Sequence, residues 1–442
     1  MHFVLPDDVK YIINKLHENG FGAFLAGGAV RDLIMGRIPH DYDVSTSAKP
    51  EEVKRLFKRT VDTGIKHGTV TVIVNGVGYE VTTFRRESEY TDYRHPASVE
   101  FVEDVHEDCL RRDFTINAML YDNDDGLIDF FCGKRDINQK IIRCVGNPEK
   151  RFKEDALRML RAIRFSAVLG FEIEEKTFAA IKKYGILIKR VSSERITEEL
   201  NKILLSDNPD YFRVVYNAGL LQYVIPQLSK CFGEPQKNRY HIYDVGEHIM
   251  HTVKNIPADL VLRWAALLHD VGKPRCASVD SNGIIHFYGH HRESVRIAED
   301  VLHRLRLDNN TIKDVLTLIE NHDVRIEPAP ENVKRMMSKT GAKLFKKLMQ
   351  LQLADNKAKS EICYKEKKKK IDAVIQIYED VISANEPYRI SDLVINGRDL
   401  IKIGYRPGRA MGDVLKILTD EVIINSSLNN RFYLLNRAKE LK

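Results

Sequence analysis

The sequence predicts an α+β protein, a mixed head followed by an almost wholly helical remainder, and three observations carry that expectation. Over residues 1–140 short β-branched or apolar runs alternate with helical periodicity. From residue 149 onward long helical patterns take over and little strand signal returns. Size is the third: the chain has 442 residues, 43% of them apolar and 30% charged. That is room for about two to four ordinary globular domains.

Taken in order, residues 9–18 are amphipathic with helical spacing, 21–26 form an apolar strand-like run, and 70–74 and 79–84 are rich in β-branched residues and predict strands. Residues 151–169 and 192–205 predict long helices. A loop-like passage, 231–239, contains Gly233 and Pro235 and marks a boundary. A histidine-rich helical region follows as far as Asp355, then a basic run at 365–370, then helical segments punctuated by Gly397, Gly404, Pro407 and Gly408. No internal repeat is present, and the expected divisions fall at 1–140, 141–232, 233–360 and 361–442.

No run approaches the ~18 apolar residues of a membrane helix, and the first ten residues carry two aspartates where a secretory leader would be basic and then apolar. A cytoplasmic protein without a membrane partner is expected. The six cysteines, at 109, 132, 144, 231, 276 and 363, form no CxxC pair and suit reduced thiols. A net charge of +6 permits a polyanionic partner without demanding one.

Leu25 and Ala26 run into Gly27-Gly28-Ala29-Val30-Arg31-Asp32, the pattern of a strand that ends in two glycines and opens a helix. Bare backbone N–H groups at such a turn suit phosphate oxygens, although most Gly-Gly turns are only turns. Asp41-Tyr42-Asp43-Val44 reads as the start of a strand, which puts two carboxylates on one face. Charges that close are reconciled by a hard divalent cation such as magnesium; the same pair also suits a solvated acidic turn. Glu80 is a lone acid in an apolar and β-branched run, expected either to join Asp41 and Asp43 or to sit on a solvent-facing edge.

Arg111 and Arg112 beside Asp113 suit a triphosphate and a sugar hydroxyl, and suit a surface ion-pair cluster equally. Asp155 and Arg158, at i and i+3 of the helix predicted over 151–169, would share a face. An acceptor beside a donor matches the Watson–Crick edges of cytosine and adenine. Uracil and guanine present a ring N–H where Arg158 needs an acceptor. The plainer alternative is an ordinary helix ion pair.

Five motifs in order, Gly27-Gly28-Ala29-Val30-Arg31-Asp32, Asp41-Tyr42-Asp43, Arg111-Arg112-Asp113-Phe114-Thr115-Ile116-Asn117-Ala118-Met119, Glu154-Asp155-Ala156-Leu157-Arg158 and Glu194-Arg195-Ile196, resemble those of the class II tRNA nucleotidyltransferases. These are the CCA-adding enzymes, with the related bacterial poly(A) polymerases. The resemblance implies a polymerase-β-like nucleotidyltransferase head at 1–140, a helical neck carrying a nucleotide-selecting template, an HD-type body and a tRNA-holding tail. It implies Mg2+ on Asp41 and Asp43, to which the reading of the residues adds Glu80 as a third catalytic carboxylate, and nucleotide binding by Gly27, Gly28, Arg31, Arg111, Arg112, Asp113, Asn117, Asp155, Arg158, Arg161 and Arg164. Asp113 with Arg112 would read the ribose. The implied reaction adds CMP, CMP and AMP from CTP and ATP to the tRNA 3′ end, releasing pyrophosphate, with A addition alone or poly(A) synthesis as the alternatives. Residues 84–96 resemble the flexible loop of enzymes that add the terminal A, with His95 where the second of two basic residues is usual. No protein partner is expected.

His269-Asp270 ends a nearly all-apolar helical run. With His248 and Asp355, and with His290 and His322 matching positions used for a second metal, it resembles the HD phosphohydrolase superfamily. The resemblance implies a divalent transition metal, nickel or manganese, and a possible hydrolysis of RNA ends; the alternative is a helical body that only holds tRNA. The basic residues Lys334, Arg335, Lys339, Lys343, Lys346, Lys347 and those of 365–370 suit phosphate tracking along an RNA, or solvated helix faces.

Overall fold

The computed structural model describes residues 2–65, 68–87, 99–236 and 242–442, apart from the side chains of 87, 99, 362 and 363. The chain forms two compact units, 1–226 and 227–442.

In the first unit the helix Asp7–His17 buries Val9, Ile12, Ile13 and Leu16, the face set by its spacing. The strands are β1 (Ala23–Ala26), β2 (Val44–Thr46), β3 (Thr60–Gly64), β4 (Thr69–Val74), β5 (Val77–Thr83), β6 (Arg85–Glu87), β7 (Val99–Phe101), β8 (Leu120–Asp122) and β9 (Gly126–Ile128). Seven of them make one sheet in the order β3-β4-β5-β2-β1-β8-β9. Asn75 and Gly76, with φ of 49° and 84°, close the β4–β5 hairpin as a two-residue turn that needs two positive φ values. β2 and β5 pair in parallel with Val44 opposite Val81, so Asp43 and Glu80 lie one residue before that pair on neighbouring strands. Completely buried Leu25, Val30, Val44, Val70 and Val72 fill the space between sheet and helices. β6 and β7 pair separately, and the expected loop at 84–96 otherwise falls mainly outside the described residues.

Two sequence expectations need correction. Asp41 to Asp43 approach β2 rather than start it; the strand begins at Val44, and the Asp43 carbonyl accepts from Ala26 N–H at 2.9 Å. The helix predicted over 151–169 is two helices, Pro148–Glu154 and Leu157–Leu169, with Asp155 extended at φ −138° and ψ 107° between them. The Asp155 carboxylate accepts from Leu157 N–H at 3.0 Å, a local bond that competes with the helical path. Beyond the head, strand among the described residues is confined to two short pairs, Ile141–Ile142 with Glu172–Ile173 and Ser278–Val279 with Ile285–His286, in keeping with the little strand expected there.

The second unit is helical. Val245–Lys254, Leu260–Leu268, Asn309–Asn321 and Ala342–Lys357 pack on one another, and Glu361–Ser383 packs on Ala342–Lys357 and Pro330–Thr340. Leu400, Leu418 and Leu434 centre a further core between Gly397–Lys402, Arg409–Ile424 and Arg431–Glu440. Among the described residues no helix is long and apolar enough to cross a membrane, and cysteines 109, 132, 144, 231 and 276 are free thiols.

Candidate functional site

β1 delivers the chain to Gly27, whose φ of 66° and ψ of −122° cap the helix Gly28–Ile34. The positive φ favours glycine there, and a Cβ would stand 2.8 Å from Nη1 of Arg112 and push that guanidinium aside. Arg112 donates to Ser45 Oγ at 2.9 Å and to Asp108 Oδ2 at 3.0 Å, while Arg111 donates to Asp108 Oδ1 through Nε and Nη2 at 2.9 and 2.7 Å. Asp108 is completely buried, and the two guanidiniums hold its carboxyl below the usual range against the opposing effect of burial. Sequence reasoning missed Asp108; its only signal is an acid three and four residues ahead of two arginines on a helical turn.

A second network runs through the nucleotide-binding candidates. Arg31 bonds Asp32 Oδ1 at 2.9 Å and Asn117 Oδ1 at 2.8 Å; Asn117 donates to Asp113 Oδ1 at 3.3 Å. Arg161, not Arg112, is the ion-pair partner of Asp113, with Nε and Nη2 at 2.8 and 2.6 Å from Oδ2. Arg112 is turned instead toward Asp108 and Ser45. Burial would raise the pKa of Asp113, but Arg161 and then Arg158 outweigh it and hold the carboxyl at about 2. Arg164 bonds the buried Glu199 at 2.7 Å and lies 3.6 Å over the ring of Phe165. Glu199, also missed from sequence, sits one helical turn beyond Arg195.

Asp43 keeps solvent access, yet the protein atoms crowding its carboxyl, then the Glu80 and Asp41 charges, push its pKa up to about 6 against the pull of Arg112. Asp43 therefore feels the charge of both other carboxylates. Glu80 lies on the exposed side of β5, so it is not the buried acid that needed a partner.

Asp155 and Arg158 do not share a helical face. Arg195 binds Asp155, with Nη2 at 2.7 Å from Oδ2, whereas Arg158 donates to Glu154 Oε2 at 2.6 Å and to the Arg111 carbonyl at 3.1 Å. The break at Asp155 separates the two side chains into different partnerships.

In the second unit all six expected metal-ligand residues converge. His248, His269 and Asp270 form one group whose ligand atoms lie within 4.8 Å of one another, and Asp270, His290 and His322 form another. Asp270 joins them: Oδ2 is 3.4 Å from His248 Nε2 and 3.2 Å from His269 Nε2, and Oδ1 is 3.3 Å from His290 Nε2. Asp355 Oδ1 lies 3.0 Å from His248 Nε2. The Nδ1 atoms of His269, His290 and His322 face the carbonyls of Ala266, Phe287 and Ile319 at 2.8, 2.8 and 2.7 Å. A carbonyl only accepts, so Nδ1 carries a proton and Nε2 is turned to the centre. His269 Nε2 is buried and makes no hydrogen bond. Gly272 lets the helix His290–Arg304 approach, since a Cβ there would meet the His290 carbonyl at 2.6 Å. Lys273 and Lys359 each lie 2.6 Å from Asp270 and Asp355 respectively, and Asp270 and Asp355 are held well below the usual carboxylate range despite burial, chiefly by His269 and Lys359. The residues present fit a metal centre.

The expected RNA-facing cations are less free than their spacing suggests. Lys334 is buried against Glu386 and Ser426, at 2.9 and 3.2 Å, which removes it from any surface track. Lys347 bonds Asp259 at 2.7 Å.

Residues 23–143 match a family model described as Poly A polymerase head domain, 170–232 one described as probable RNA and SrmB-binding site of polymerase A, and 289–438 one described as tRNA nucleotidyltransferase domain 2 putative. A CCA-adding enzyme of Ligilactobacillus salivarius is 34% identical over 99% of this chain and 98% of its own, and one of Enterococcus faecalis is 32% identical over 99% and 97%. Among solved structures, the Bacillus stearothermophilus CCA-adding enzyme in complex with CTP is 28% identical with a TM-score of 0.75, covering 99% of this chain and 98% of that one. The Thermotoga maritima CCA-adding enzyme complexed with tRNA shares the fold, at 23% identity and a TM-score of 0.61 over 99% and 97%.

Proposed function

The chain belongs to the CCA-adding enzymes, and we propose that the networks of its first unit carry out that family's reaction, the transfer of CMP, CMP and AMP from CTP and ATP to the tRNA 3′ end with release of pyrophosphate. The observation that carries the residue assignment is the unbroken chain of contacts from Arg31 through Asn117 and Asp113 to Arg161. Arg31, Arg111 and Arg112 would bind the triphosphate beside Gly27 and Gly28; Asp113, fixed by Arg161, would accept from a ribose hydroxyl. Asp155 and Arg158 would read the base, with Arg161 and Arg164 completing the pocket. Selection of C and A would then come from the protein, because a buried donor or acceptor left unpaired by U or G costs about 1 to 3 kcal/mol.

The reaction depends on divalent cations. We assign these as Mg2+ held by Asp41, Asp43 and Glu80; when bound they would polarise the triphosphate and lower the pKa of the attacking hydroxyl. We place the enzyme in the cytoplasm and retain the division into head, neck, HD-type body and tail at residues 140, 232 and 360.

Primer extension on tRNA transcripts ending before the CCA, after C and after CC tests this reading. Extension of all three to one fixed end is expected. Extension of the CC-ended RNA alone would make it an A-adding enzyme, and continued A addition a poly(A) polymerase.

A second reading, metal-dependent phosphohydrolysis at His248, His269, Asp270 and Asp355 with His290 and His322, is favoured by the bridging position of Asp270 between two histidine pairs. The metal would be nickel or manganese, and the assay is release of inorganic phosphate from phosphate esters. A chain that binds neither metal would leave the second unit a structural body.

A further inference from the structure

Beyond Glu80, the face of the sheet that carries Asp43 is lined by hydroxyls. Glu80 and Thr82 of β5 point to that face, opposite Thr71 and Thr69 of β4, because Val81 and its partners Val44 and Val70 point into the core. Thr71 Oγ1 lies 2.8 Å from Thr63 Oγ1 of β3, and Thr69 Oγ1 lies 3.0 Å from Thr82 Oγ1. From Asp43 outward the sheet therefore presents Glu80, Thr71 and Thr63, one residue per strand, at intervals of about 5 Å. Gly78, two residues before Glu80, adds no side chain to this face, and a Cβ there would stand 2.9 Å from Thr71 Cγ2.

A hydroxyl carries one hydrogen, so each threonine pair uses one in its internal bond and keeps one to donate. Among the described residues none of the four side chains makes another hydrogen bond. Thr63 is exposed and Thr71 half-buried, so the outer pair presents its spare donor to a ligand lying on the sheet.

Sheet order tells which substrate that is. β1, and with it the Gly27-Gly28 turn assigned to the triphosphate, lies on the other side of β2 from β5, β4 and β3. In nucleotidyl transfer the attacking and leaving oxygens stand roughly in line on opposite sides of phosphorus. With pyrophosphate leaving toward β1, the attacking 3′ hydroxyl enters from the β4 side. We infer that the RNA 3′ end lies over β5, β4 and β3, and that the Thr63–Thr71 pair donates a hydrogen bond to the ribose–phosphate backbone of its last nucleotide. Phosphate and ribose oxygens accept, and hydroxyls satisfy them without placing a competing positive charge beside carboxylates that are to hold cations. The inference rests on the reading of Asp41, Asp43 and Glu80 as the reaction centre and adds to it a subsite for the second substrate.

The test is steady-state extension of tRNA lacking its CCA end by the full chain, with RNA and CTP varied in turn. Thr71→Val and the double variant Thr63→Val/Thr71→Val keep the β-branched shape and remove the hydroxyls; Thr71→Ser keeps the hydroxyl; thermal midpoints check folding. For the valine variants kcat/KM for RNA at saturating CTP is expected to fall about tenfold, the size of one hydrogen bond to a charged group, with KM for CTP and the midpoint unchanged. Thr71→Ser is expected to stay within about twofold of the parent. Valine variants that use RNA as well as the parent does would overturn the inference, as would a KM for CTP that rises in step with the loss on RNA or a serine variant as impaired as the valine one. Asp43→Asn is run beside them: full activity in that variant would overturn the reading of the carboxylates, and an inactive Asp43→Asn with unaffected valine variants would overturn the threonine subsite alone.

Discussion

Arg195 holds Asp155 by both carboxylate oxygens, with Nη2 at 2.7 Å from Oδ2 and Nη1 at 3.3 Å from Oδ1. The carboxylate that would read the base is thus aimed by a residue on a later helix, Ser193–Leu204, while Asp155 itself lies at the break between Pro148–Glu154 and Leu157–Leu169. Arg195→Ala leaves the Asp155 carboxylate held only from its own turn, by Leu157 N–H. Discrimination between CTP and UTP, measured as the ratio of kcat/KM, is expected to fall about tenfold while the fold survives, the size of one lost oriented hydrogen bond.

Asp108 is the common anchor of Arg111 and Arg112, and replacing it removes the carboxylate that both guanidiniums share. Asp108→Ala is expected to cost about 3 kcal/mol in urea unfolding. It is also expected to raise KM for CTP and ATP together, because both use the same arginines. A change confined to one nucleotide would contradict this.

Asp113 supplies a pH dependence with a definite sign. Its folded pKa of about 2 lies below the ordinary 3.8, so its contribution is fully present above about pH 4 and is lost as pH falls toward 2. The lost amount is about 2 kcal/mol. Acid unfolding of Asp113→Asn is expected to lack that part of the slope between pH 4 and 2.

His269→Ala removes one ligand from the centre of the second unit. Bound manganese, measured after dialysis, is expected to fall by tenfold or more, with the helical content of the chain unchanged. Equal retention of metal by parent and variant would argue that the cluster is not a metal site.

How much of this was legible in the sequence differs by element. The amphipathic first helix, the strands at 70–74 and 79–84 and the candidate histidine–aspartate cluster could be read because each depends on local spacing or residue type. The break at Asp155 could not, because Leu157, Leu160 and Ile163 keep helical periodicity through it and only a side-chain bond to Leu157 N–H diverts the backbone. The pairing of Asp113 with Arg161 was equally hidden, because 48 residues separate them. Lys334 and Lys370 looked alike as cations, and only the fold tells that one is buried and the other lines a cavity.

The most direct test of the central claim, that the protein itself selects the base, is single-nucleotide incorporation into C-ended and CC-ended tRNA with each of the four NTPs, for the parent and for Asp155→Ala. The account predicts that the parent accepts only CTP and then ATP. The variant should admit UTP and GTP with discrimination reduced tenfold to a hundredfold while it remains folded. Unchanged selectivity in a folded, active Asp155→Ala enzyme would contradict it.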